Sequence, residues 1–149
     1  MNHWLMKSEP DEFSIDDLAR KKTEPWSGVR NYQARNYLRE MRVGDGVLFY
    51  HSSCAEPGVV GIATVATAAY PDPTQFDPKS DYFDAKAGRS APRWSLVDVK
   101  FKRKLKRTIA LTELKDHREL QGMALIRPGN RLSVLPITPA QWNYILGLE

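Results

Sequence analysis

The sequence predicts an α+β domain, a small mixed β-barrel of five to six strands flanked by short helices, on three observations. Short apolar or alternating stretches recur along the chain, separated by turns and loops. Between them lie amphipathic segments that open with helix-capping residues. Strands and helices do not alternate regularly, so a doubly wound parallel sheet is not expected. A chain of 149 residues accommodates one well-buried core and is too short for two ordinary domains, so residues 1–149 are read as one.

The elements follow in order. His3 to Lys7 reads as a short strand buried on both faces, and Ser14 opens a capped helix running to about Lys21. Thr23 to Asn31, with Pro25, Trp26 and Gly28, reads as a loop. Asn31 caps a second helix whose apolar face is Ala34, Tyr37, Leu38 and Met41, with Arg35, Arg39 and Arg42 on another face. Gly44-Asp45-Gly46 turns the chain into a strand, Val47 to Ser52, and a loop leads to a longer strand, Val59 to Ala69. Tyr70 to Arg93 holds four prolines and several aspartates and reads as a long irregular excursion. From Ser95 to Lys106 the chain alternates. Val97, Val99, Phe101 and Leu105 point one way, and Asp98, Lys100, Lys102, Lys104 and Lys106 the other. Thr112 to His117 is a short helix, and Leu120 to Arg127 fits helix or strand equally. Arg131 to Leu135 is a last strand ended by Pro136. Thr138-Pro139-Ala140-Gln141 then caps a terminal helix that buries Trp142, Ile145 and Leu146.

Composition excludes several classes. With 42% hydrophobic and 27% charged residues the chain is globular and not disordered. No apolar run approaches the roughly 20 residues that span a bilayer, and the N-terminus lacks the features of a signal peptide. A cytoplasmic protein without a membrane partner is therefore expected, with a monomer as the working assumption. One cysteine, Cys54, excludes an internal disulfide and a zinc site of several thiolates. The net charge is +4, but Arg89 to Arg107 carries eight basic residues and one acidic. Such a segment either tracks a phosphate backbone or is a solvated strand face.

No catalytic constellation stands out. His51, Ser52, Ser53 and Cys54 adjoin, yet groups that act together usually converge from distant positions, and alternation sends His51 and Ser52 to opposite faces. His3, His51 and His117 have no metal-ligand spacing, and no phosphate-binding glycine loop is present, so neither metal nor cofactor is expected. Trp26 is more informative. It lies in a polar loop beside Gly28, Arg30, Asn31 and Gln33, which suits either stacking on a base or covering the edge of the core.

Several segments resemble the EVE domain: Trp4-Leu-Met-Lys-Ser-Glu-Pro10, Trp26-Ser-Gly-Val-Arg-Asn-Tyr-Gln-Ala-Arg-Asn36, Gly44-Asp-Gly-Val-Leu-Phe-Tyr-His-Ser52, Gly61-Ile-Ala, Tyr70-Pro-Asp-Pro73, Pro92-Arg-Trp94 and Leu132-Ser-Val-Leu-Pro136. The resemblance spans essentially the whole chain in order. It implies a PUA-like barrel, related to the YTH domains that read methylated adenine in RNA. The barrel mouth would receive a flipped-out modified base, usually a modified cytosine in DNA. Lys7-Ser8 is similar to the Lys-Ser that opens the YTH pocket, and Trp26-Ser27 to its first cage tryptophan and the next residue. Glu9 stands where YTH domains often have asparagine, and a carboxylate there accepts from the exocyclic amine of cytosine. The second tryptophan of the YTH cage has no evident counterpart after Ile62.

The expectation is thus a non-catalytic binder of modified DNA or RNA. Its base pocket would comprise Lys7, Ser8, Glu9, Trp26, Ser27, Asn31 and His51, and Arg35, Arg39, Lys100, Lys102 and Lys104 would contact phosphates. Two alternatives use the same pocket: an enzyme on modified nucleotides or RNA with His51 as general base, and a small-molecule or partner-binding module.

Overall fold

A computed structural model describes residues 1–149. The strands are β1 (His3–Ser8), β2 (Thr23–Pro25), β3 (Gly46–His51), β4 (Gly58–Val65), β5 (Tyr70–Pro71), β6 (Ser95–Leu96), β7 (Asp98–Ala110) and β8 (Val134–Ile137). The helices are α1 (Ile15–Lys21), α2 (Tyr32–Glu40), α3 (Leu111–Asp116) and α4 (Pro139–Leu146). Six strands make one curled, half-barrel sheet in the order β2-β7-β4-β3-β1-β8, and β5 pairs with β6 beside it. Only β1 and β3 are parallel, so the sheet is mixed. The α+β class and the barrel-like sheet agree with the sequence reading.

Burial on both faces explains the apolar strands. Trp4 and Met6 of β1 join Ile15, Leu18, Trp26, Leu38 and Phe49 in one core cluster, while Leu5 joins Leu48, Ile62, Leu114 and Ile145 in the other. Ser14 and Asp17 form the capping box of α1, Asn31 accepts from the Ala34 N–H at the start of α2, and Thr138 with Gln141 caps α4. At Gly61 an added Cβ would lie 2.4 Å from Ile15 Cδ1, so glycine lets α1 sit down on β4.

Several segments differ from expectation, among them Tyr70 to Arg93, which opens with β5 and a 3₁₀ turn, Pro73–Phe76. Thr23–Pro25 is not loop; it pairs with β7 and brings the Trp26 loop onto the sheet edge. The long strand ends at Val65 and not at Ala69. β7 runs to Ala110 and is irregular where it faces β4 between Phe101 and Arg103. An extra residue there reverses the alternation. Val97 and Val99, with Phe101 against them, lie in the first cluster, but Leu105 and Ile109 lie in the second. Leu120 to Arg127 is neither strand nor α-helix; it begins at the end of one 3₁₀ turn, Arg118–Leu120, and holds another, Ala124–Ile126. Pro136 lies inside β8, where an edge strand tolerates a residue without an N–H.

Candidate nucleic-acid interface

A cleft of about 580 Å³ opens where the ends of β1 and β3, the loop from β2 to α2 and the approach to β8 meet. That volume suits a nucleoside-sized ligand. Lys7, Ser8, Glu9, Trp26, Ser27 and Asn31 all line it. Trp26 is 8% exposed and belongs to the first core cluster, so the two sequence readings of this residue are compatible. Phe13 and Phe49 meet its ring edge-on, with centroids 6.3 and 5.5 Å away and interplanar angles of 87° and 88°. Two edge-to-face contacts fix the indole plane.

The polar groups around the indole are held to different degrees. Ser8 Oγ donates to the Phe13 carbonyl at 2.6 Å. Asn31 Oδ1 is occupied by the α2 cap, accepting from the Ala34 N–H at 2.9 Å, which leaves its amide donors for the cleft. Glu9 and Ser27 are exposed and no protein group binds their side chains. Lys7 is half-buried above the Tyr50 ring, and burial lowers its pKa. Charges of both signs line the cleft: Lys7, Arg30 and Arg131 against Glu9, Glu12 and Glu24. Such a lining fits a heterocycle with donor and acceptor edges better than it fits an anion.

His51 does not line this cleft. Its Nε2 accepts the Ile15 N–H at 3.1 Å, satisfying a donor at the start of α1. The lone pair assigned to a general base is thereby used. Burial lowers the His51 pKa, helped by Lys104 and opposed by Asp16, and His3 is lowered by burial as well. A histidine depressed on folding binds its proton more readily when unfolded, so its stabilising effect is complete above about pH 6.5 and is lost below it. Thermal stability is expected to fall between pH 7.5 and 5.5, with a shallower fall in His51→Gln. An equal slope in both proteins would contradict this.

The five cations assigned to phosphates are differently placed. Arg35 Nη1 donates to the Arg93 carbonyl at 2.9 Å, and Arg39 Nε donates to Ser95 Oγ at 2.9 Å, so both pin the returning end of the Tyr70–Arg93 segment. Lys104 pairs with Asp16 of α1 at 2.9 Å. Lys100 and Lys102 are exposed and make no ion pair. None of the five lines the cleft.

Sequence reasoning missed the roles of Asp72, Gln75 and Tyr82, of which Tyr82 lines the cleft. Asp72, fully buried, accepts from the Gly28 N–H (2.8 Å), Arg30 Nη1 (3.1 Å), and both the N–H and hydroxyl of Thr74 (2.9 and 2.6 Å). Burial raises its pKa, yet these donors outweigh burial and hold the carboxyl below its usual range. Arg30 also donates to the Tyr82 carbonyl, and Tyr82 packs so closely on Gly28, which has φ 90°, that a Cβ there would lie 2.8 Å from the ring. Gln75 bonds Asp72, Arg93 and Trp94 and so ties the segment's two ends together. A second cleft, of about 690 Å³, lies near Met1, Arg39 and Arg42, where the buried Asp45 is already filled by donors from Asn2, Trp4 and Arg42. No group of three or more His, Cys, Asp and Glu side chains is placed to hold a metal ion, and no helix is long and apolar enough to cross a membrane.

Residues 2–148 match the family model described as the EVE domain. The chain belongs to the EVE domain family. Human thymocyte nuclear protein 1 is 43% identical over 167 residues, covering 99% of this chain and 74% of that protein. A Pseudomonas syringae protein of known structure shares 53% identity and superposes with a TM-score of 0.95, covering 98% of both chains. Human thymocyte nuclear protein 1 in complex with DNA containing 5-methylcytosine superposes with a TM-score of 0.95 at 42% identity, covering 99% of this EVE domain and 97% of that chain.

Proposed function

We propose that the chain works as a single EVE domain that binds DNA and reads a modified cytosine in the Trp26 cleft. The observation that carries this reading is an indole fixed by edge-to-face contacts with Phe13 and Phe49 that lines a nucleoside-sized cleft with unpaired polar side chains around it. The human relative crystallised with 5-methylcytosine DNA supports it. The base stacks on Trp26, Glu9 accepts from the cytosine exocyclic amine, and Ser27 and the Asn31 amide donors address the remaining edge. Lys7 and Arg131 meet the flanking phosphates at the cleft, with Lys100 and Lys102 as outlying cations. The reading keeps the cytoplasmic location expected from the sequence.

Energetics shape what such a site achieves. Burying one methyl group is worth about 0.8 kcal/mol, and discrimination of one carbon in an apolar pocket is about 1–3 kcal/mol. Affinity must therefore come chiefly from stacking, edge hydrogen bonds and phosphates. Extracting a base from a duplex costs a few kcal/mol, so a single strand is preferred over a duplex.

Glu9 gives the specific test. Glu9→Gln is expected to weaken binding of a 5-methylcytosine oligonucleotide by about 1 kcal/mol, the difference between a charged and a neutral acceptor. Glu9 is exposed and unbonded, so folding should be unaffected. Unchanged affinity, measured by fluorescence anisotropy, would remove Glu9 from the base edge.

A further inference from the structure

Beside the cleft, rings and guanidinium groups form a continuous ladder. The Arg30 guanidinium lies 5.5 Å from the Tyr82 ring centroid and 5.4 Å from that of Trp94. Tyr32 stacks on Trp94 with centroids 4.8 Å apart and planes inclined by 25°, and Arg35 lies 4.8 Å from the Tyr32 centroid. The inner end is in the cleft, which Arg30 and Tyr82 both line. The outer end is open: Tyr32 is 53% exposed, whereas Trp94 beneath it is 6% exposed. Tyr32 follows directly on Asn31, the helix cap at the cleft wall, so its position is set by the rigid start of α2.

We infer that this ladder carries single-stranded nucleic acid away from the cleft, with the base next to the one being read stacked on Tyr32. This rests on the reading above and adds a second contact point to it. Three features favour a polynucleotide as the occupant. Exposed π surface interleaved with fixed positive charge is what base stacking along a charged strand requires. The surface is continuous with the cleft through Asn31 and Arg30. The Asp72 carboxylate is paired with Arg30, and Asp84, which accepts from the Trp94 indole N–H, lies within the field of Arg93 and Arg30, so the acidic groups at the ladder are offset by its own cations.

The test uses single-stranded DNA carrying one 5-methylcytosine, and the same strand with abasic sites on both sides of it. For the unaltered protein, loss of the flanking bases should weaken binding about tenfold. Tyr32→Ala should weaken binding of the complete strand by a similar factor and be insensitive to the abasic sites, while Tyr32→Phe should bind as the unaltered protein does. The inference is overturned if Tyr32→Ala binds the complete strand normally, or if it loses equally on both strands, which would assign Tyr32 a structural role. An unmodified strand run in parallel separates the two ideas. Equal affinity for modified and unmodified strands, with the Tyr32 coupling intact, overturns base reading alone. No binding of any strand overturns both.

Discussion

Asp72→Ala is expected to destabilise the protein by about 3–5 kcal/mol, the range for breaking a buried charge pair by removing one partner. Four donors converge on that carboxylate, and with it gone the Gly28 and Thr74 N–H groups lose their acceptor and the Arg30 guanidinium loses its carboxylate partner. The consequence is local as well as global. Gly28 and Arg30 hold Tyr82 against the cleft, so modified-DNA binding should weaken even under conditions where the variant remains folded. Because its donors hold the Asp72 carboxyl below the usual range, this stabilisation is present above about pH 4 and fades as pH falls through the folded value. Urea unfolding of both proteins checks the prediction, and a difference under about 1 kcal/mol would show that the hub carries little of the fold.

Trp26→Ala is expected to abolish modified-base binding and also to cost about 3–5 kcal/mol of stability, as large-to-small core substitutions of tryptophan do. The second effect follows from the indole's place in the first core cluster, so loss of binding in this variant alone does not locate the base. Trp26→Phe separates the two. It keeps an aromatic face in contact with Phe13 and Phe49 and should retain most of the stability, while smaller stacking area weakens binding by about 1 kcal/mol. A folded Trp26→Phe protein that binds modified and unmodified strands as the unaltered protein does would move the base away from Trp26.

Much of this molecule is written locally. Helix starts at Ser14, Asn31 and Thr138 are legible because a cap and its partner lie within four residues of one another. The two-faced burial of β1 is legible because His3 to Lys7 is too apolar for a half-exposed strand. What the sequence conceals depends on distant partners. The change of face along β7 arises from its register with β4, and the alternating lysines give no sign of it. Asp72 is chemically the same as the solvated Asp77 and Asp81 until Gly28 and Arg30, more than forty residues earlier, fold onto it. The cleft shows both cases. Arg30 and Asn31 are legible as polar neighbours of Trp26, and Lys7, Ser8, Glu9 and Ser27 are placed beside it only by the family resemblance, whereas Tyr82 and Arg131 arrive from remote segments and His51 is drawn off by the first helix.

The Trp26 cleft is expected to distinguish a modified cytosine from an ordinary one. The most direct measurement is equilibrium binding of single-stranded DNA with either cytosine or 5-methylcytosine at one position, at two salt concentrations. The account predicts tighter binding of the modified strand by roughly 10–200-fold, with both affinities falling as salt rises while their ratio holds, because phosphate contacts are shared and the base contact is not. Equal affinity for the two strands at both salt concentrations would contradict it.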